Sequence, residues 1–220
     1  MKLSSEWIIS LAAPHQCLGC GREGTICCDG CQEASFIPMP SRCFRCRHLT
    51  EEFAACRSCH SPLRHVWVAT EYDGLARQLL HSYKFQRARA AASVLAQNIA
   101  DALPYLSSDT VVTYIPTATK RIRMRGYDHA ELVARAVANL KNMPFQRLAT
   151  RLTQSRQVGA NRAVRMRQLD GAFALVGKVP KRVLVVDDVV TTGATLEAMA
   201  VLLRKAGVRD VSAAVFAQKL

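Results

Sequence analysis

Residues 181–195 read KRVLVVDDVVTTGAT, and no other stretch restricts the fold as tightly. Val183 to Val186 is a wholly apolar, mostly β-branched run, the composition of a strand covered on both faces in a parallel sheet. Two acids, Asp187 and Asp188, close it, and Thr191-Thr192-Gly193-Ala194-Thr195 follows. A helical period then begins at Leu196, Met199 and Leu203, with Gly207 placed just past the helix end. Strand, acid pair, hydroxyl-and-glycine loop and helix, in that order, build an anion cradle. The N–H groups at a helix start face the anion, glycine takes a turn other residues resist, and threonine hydroxyls add donors. The acids suit sugar hydroxyls, or waters on a divalent cation, better than the anion itself. A Walker-type loop does not fit, because no Lys follows Gly193. The plainer alternative is an ordinary strand-to-helix turn with two capping Asp residues.

The N-terminal quarter carries the second informative pattern. All nine cysteines precede residue 60, and eight form four CxxC pairs: Cys17/Cys20, Cys28/Cys31, Cys43/Cys46 and Cys56/Cys59. A CxxC turn presents two thiolates to one tetrahedral ion, so four pairs predict two structural zinc ribbons. Pairing can be sequential or crossed. Cys27 leaves one register ambiguous, and Cys28 is preferred because it keeps the two-residue spacing to Cys31. His48 and His60 lie beside the pairs, but eight thiols already suffice. A disulfide scaffold would need a secreted chain, and the short apolar stretch after Glu6 makes a poor signal peptide. Zinc thiolates imply a reducing, cytoplasmic setting.

The 220 residues allow a ribbon module at 1–62 and an α/β domain at 63–220. Half the residues are apolar, enough for a core, and no stretch approaches a membrane span. Strands are expected at 66–70, 110–115, 183–186 and 211–215, and helices at 75–85, 88–103 and 196–206, around a turn at Tyr72-Asp73-Gly74. Asp128-His129-Ala130-Glu131 has capping-box spacing, and Val133, Val137 and Leu140 then share a helix face. The alternation predicts a mostly parallel sheet flanked by helices, with ligands at the carboxyl ends of its strands.

Two basic segments point toward that end. Residues 115–127 leave a strand as a loop holding Lys120, Arg121, Arg123 and Arg125, suited to pyrophosphate or a nucleic-acid backbone; a solvated basic loop is the plain reading. Residues 157–173, with Arg162 and Arg165, read as a mobile loop before a strand, and these two join Arg123 and Arg125 as nucleic-acid or pyrophosphate contacts. His129 could face the site, although plain exposure in a helix's first turn is an equal reading. Phe85 and Trp67 read as buried packing. The formal net charge of +13 favours a polyanion, either nucleic acid or an anionic membrane surface.

The run at 181–195 resembles the phosphoribosyl-pyrophosphate (PRPP) signature of type I phosphoribosyltransferases. The resemblance assigns ribose contacts to Asp187 and Asp188, and 5′-phosphate contacts to Thr191, Thr192, Gly193, Ala194 and Thr195. It also makes Lys120 and Arg121, with the acid pair, candidate catalytic residues that steady a magnesium-bound pyrophosphate leaving group. Purine-salvage members have an acid where this chain has Thr191, which argues against hypoxanthine or guanine as acceptor. The cysteine ribbons, Tyr72-Asp73-Gly74, Lys84-Phe85, Arg125-Gly126-Tyr127, Gln157-Val158-Gly159, Gly171-Ala172-Phe173 and the PRPP loop together resemble the ComF family. The chain departs from that family's pattern at Asp128, His129 and Gln168.

The resemblance implies a protein of DNA uptake or use of external DNA. Its implied ligands and partners are PRPP with magnesium, single-stranded DNA, and uptake-machinery proteins at the inner membrane. Two further readings stay open: a metabolic phosphoribosyltransferase of unknown acceptor, and a non-catalytic PRPP-sensing regulator.

Overall fold

The computed structural model describes residues 15–86, 88–152 and 171–220. Among the described residues, the cysteine-rich segment contains one helix, α1 (Asp29–Ser35), and a single 3₁₀ turn at Arg57–Cys59. Then follow β1 (Val66–Glu71), α2 (Gly74–Phe85), α3 (Ala91–Ala102), β2 (Thr110–Tyr114), α4 (Thr119–Arg125) and α5 (His129–Leu140). A short antiparallel pair, β3 (Ala149–Arg151) with β4 (Phe173–Leu175), precedes β5 (Arg182–Val190), α6 (Ala194–Lys205) and β6 (Asp210–Gln218).

The main sheet has the order β1-β6-β5-β2 with every neighbour parallel, and Phe145 bridges to Val112 along the β2 edge. Parallel strands need crossovers, and helices supply them on both faces. Because side chains alternate across a strand, β5 feeds two cores. Leu184 and Val186 join Leu79, Leu95, Ile99 and Val133 on one face. Val183 and Val185 join Leu196, Met199 and Leu203 on the other.

The cysteine segment docks on both. Ile26, Cys27 and Phe36 enter the first core, with Phe36 edge-on to Phe216 at 5.3 Å. Phe44 and Leu63 enter the second.

Several expectations need correction. Strand β5 runs to Val190, so Asp187 and Asp188 lie inside it rather than beyond its end. The eight ladder partners from Arg182 to Val190 against β6 outweigh the poor strand propensity of Asp. The second helix starts at Ala91, after a turn, not at Ala88. The basic segment expected as a loop forms helix α4, closed by Gly126 at φ +83°. In α5 the buried face is His129, Ala130, Val133, Ala134, Val137 and Ala138, whereas Leu140 is exposed. Trp67 is buried as expected, but Phe85 is 61% exposed, because the inward stripe of α2 is Leu75, Leu79, Leu80 and Tyr83.

Candidate functional site

The acid pair sits at the carboxyl end of β5, where ligands of parallel sheets are met. Asp188 continues the Leu184–Val186 face and is buried, while Asp187 points the other way and is half-buried. Asp187 Oδ1 accepts from the Asp188 N–H at 2.9 Å.

Two basic side chains face Asp188. Lys84 Nζ, from the last turn of α2, reaches its Oδ1 at 2.8 Å, and His129 Nε2, from the first turn of α5, reaches its Oδ2 at 3.0 Å. A guanidinium nitrogen of Arg125 lies 2.8 Å from His129 Nδ1. A guanidinium can only donate, so Nδ1 accepts and the ring proton sits on Nε2, the nitrogen that faces Asp188 Oδ2. Thus Arg125, at the end of α4, is joined through His129 to the acid pair. It is buried, and its charge faces inward instead of toward a nucleic-acid backbone. Although burial works the other way, the Lys84 charge and the His129 contact hold the Asp188 carboxyl below the usual carboxylate range.

Asp187 shows the reverse. Burial first, and then the neighbouring Asp188 charge, push its carboxyl up to about 7. A carboxyl raised in the folded state keeps a proton that the unfolded chain has released. It therefore subtracts stability progressively as pH rises from about 4 to about 7, and the whole penalty stands above that. Asp187→Asn keeps an oxygen for the Asp188 N–H and removes the penalty. We expect it to be more stable than the parent at pH 8 by about 2 kcal/mol, partial exposure being allowed for. At pH 5.5 the gap should shrink to about half. Urea unfolding at the two pH values reads this directly, and a less stable variant at pH 8 would contradict it.

The loop that follows turns on Gly193, at φ +75°, which is the N-cap of α6. A Cβ placed there would lie 2.3 Å from Phe44 Cε2, so both backbone and space demand glycine. Thr191 is exposed, Thr192 and Thr195 are half-buried, and Thr192 Oγ1 accepts from the Ala194 N–H at 3.4 Å.

Across the sheet end, Asp128 fixes the turn after β2. Its carboxylate accepts from Thr117 Oγ1 at 2.7 Å, from the Thr117 N–H at 3.2 Å, and from the Ala130 N–H at 3.2 Å as the α5 cap. Lys120 and Arg123 of α4 are exposed and Arg121 is half-buried. Arg162 and Arg165 lie outside the described residues.

The site thus includes Lys84, which motif spacing did not place in it, and His129, for which facing the site and plain exposure were equal readings. Lys84 stands 104 positions from Asp188, and only the Lys84-Phe85 element of the family resemblance marked it. His129 is buried, not exposed, and it and Asp128 are two of the positions where the chain departs from the ComF pattern.

The eight cysteines form two closed groups, sequential rather than crossed. Cys17, Cys20, Cys28 and Cys31 bring their Sγ atoms within 4.8 Å of one another, as do Cys43, Cys46, Cys56 and Cys59. Four soft thiolates per group fit zinc and leave no position for water, so each group is compatible with a structural ion. Cys28, not Cys27, belongs to the first group. Cys27 is a buried thiol that burial, with the charges of Cys17 and Cys28, pushes up to about 12.

A parallel sheet flanked by helices, arranged like that of a type I phosphoribosyltransferase, thus stands behind two four-cysteine groups. Residues 122–220 match the phosphoribosyl transferase domain family. The chain is 26% identical over 213 residues to Competence protein F of Haemophilus influenzae, covering 84% of this chain and 93% of that one. Among solved structures, it is similar to an allosteric regulatory enzyme of purine biosynthesis, with a TM-score of 0.41, 20% identity and 58% of this chain covered. It is also similar to Leishmania donovani UMP synthase, with a TM-score of 0.34, 19% identity and 61% covered. The chain spans 25% and 22% of those two proteins.

Proposed function

We propose that this protein binds PRPP at the β5–α6 junction and serves DNA uptake or the use of external DNA. The observation that carries the first half is the junction itself. An acid pair in a central strand leads into a threonine loop turning on a positive-φ glycine at a helix start, within the segment that matches the phosphoribosyl transferase family. In this reading Thr191 to Thr195 grip the 5′-phosphate through hydroxyls and helix-start N–H groups. Asp187 takes the ribose hydroxyls, with Asp188 behind it, its charge balanced by Lys84 and its second oxygen facing His129. Magnesium would bring charge neutralisation to the pyrophosphate, and the Asp187 carboxylate and the threonine hydroxyls are hard oxygen donors that suit it. Lys120 and Arg121, at the start of α4, stand on the pyrophosphate side.

Calorimetric titration of PRPP with magnesium tests this. Binding is expected for the parent and is expected to fall by at least about tenfold in Asp187→Asn, the loss of roughly one charged hydrogen bond. Undiminished affinity in that variant would place the ligand elsewhere.

The second half rests on the net charge, on the likeness to a protein named for competence, and on the exposed cations of α4. Affinity for single-stranded DNA should fall steeply with salt. Lys120→Ala with Arg123→Ala should flatten the log–log slope by about 1.4, at about 0.7 per phosphate contact. An unchanged slope would remove α4 from the DNA interface.

A further inference from the structure

We infer that the second cysteine knuckle is a working part of the phosphate loop. Phe44 is a positioning residue for the turn at Gly193, and metal at Cys43, Cys46, Cys56 and Cys59 holds that turn in its anion-binding shape. The inference rests on the reading of this loop as the phosphate grip.

Phe44 and Arg45 are the two residues between Cys43 and Cys46, so a metal ion fixes them at both ends. The Phe44 ring is 2% exposed and lies flush on Gly193: an added Cβ would meet its Cε2 at 2.3 Å and its Cδ2 at 2.7 Å. Its carbonyl accepts from Gln218 Nε2 at 3.0 Å, a buried contact at the end of β6. Arg45 reaches Glu197 Oε1 in the first turn of α6 at 3.3 Å and also donates to the Cys59 carbonyl. One guanidinium therefore ties both halves of the metal group to the helix whose N-terminus closes the loop.

The first cysteine group docks elsewhere. A Cβ on Gly19 would meet Cys31 Sγ at 2.7 Å and Leu75 Cδ2 of α2 at 3.4 Å, and Gln32 accepts from Asn98 of α3 at 2.9 Å. The two metal groups thus have separate duties: one braces α2 and α3, the other backs the loop. A loop that must present several N–H groups at once needs a rigid second layer, and here the metal knuckle is that layer.

Amide hydrogen exchange at residues 192–196 of the full-length, zinc-loaded protein decides the matter, with the β6 amides as internal reference. Phe44→Leu and Cys56→Ser are expected to speed exchange of the loop by about tenfold or more while β6 is unchanged. Cys20→Ser, which dismantles the first group, should leave the loop at the parent rate. The affinity for PRPP with magnesium should weaken by about tenfold in the same two variants only. Loop exchange unchanged in Phe44→Leu and Cys56→Ser would overturn the inference. So would equal acceleration in Cys20→Ser, or faster exchange with undiminished PRPP affinity. If the parent takes up no PRPP, the phosphate-grip reading falls, and the exchange contrast alone still shows whether the knuckle braces the loop.

Discussion

Stripped of metal by a chelator, the protein is expected to lose the fold of residues 15–65 and to melt about 10–20 °C lower, the shift that some 5 kcal/mol produces in a chain of this size. The segment cannot hold itself. Its regular structure amounts to one seven-residue helix and a three-residue turn. Its apolar anchors, Ile26, Phe36, Phe44 and Leu63, are buried in cores that belong to the sheet. Structural zinc in peptides of this kind contributes apparent free energies of about 10–16 kcal/mol, so losing two ions should exceed what these anchors supply. Trp67 follows the change, because it is 5% exposed and stacked on His65 at 5.1 Å, close to the docking seam. A metal-free protein with an unchanged melting curve and unchanged Trp67 emission would show that the cysteines are not structural ligands.

Lys84→Met is expected to cost about 3 kcal/mol, near the low end for breaking a buried ion pair. The reason is the partner left behind. Asp188 has a side chain only 8% exposed, and Lys84 at 2.8 Å carries the full charge that balances it. The N–H edge of His129 still faces Asp188 Oδ2 at 3.0 Å, which keeps the loss from being larger. The double variant Lys84→Met with Asp188→Asn removes the orphaned charge, so it should recover more than half of that loss. Denaturant unfolding of the parent, both single variants and the double variant gives the coupling. A Lys84→Met protein as stable as the parent would mean that Asp188 does not depend on Lys84.

How much of this could be read from the sequence differs from element to element. The run at 181–195 announced its strand, turn and helix, because apolar composition, a loop glycine and helical spacing agree there. The strand's true end at Val190 was hidden because two acids usually close a strand, and here ladder pairing to β6 carries it through them. The cysteine spacing named the metal groups, whereas sequential pairing is a matter of how two knuckles meet in space. Helix α4 has no apolar stripe to betray it: Thr119–Arg125 is mostly charge, and the residue that anchors it, Arg125, is itself a cation turned inward. The contacts that complete the site, Lys84 and His129 on Asp188, join three separate elements, and no local pattern encodes such a meeting. The capping box did mark the turn where His129 stands, but not which way the ring points.

The sheet also divides the chain into two compartments. Val183 and Val185 belong to one, Leu184 and Val186 to the other, and a change in either is screened from its opposite by a layer of backbone. Such a molecule can drift on its two sides almost independently. The acid pair spans both sides: Asp188 answers to α2 and α5, Asp187 to the far face, and a single peptide bond joins them. The junction where a ligand would be held is therefore also where the two halves of the protein share a history.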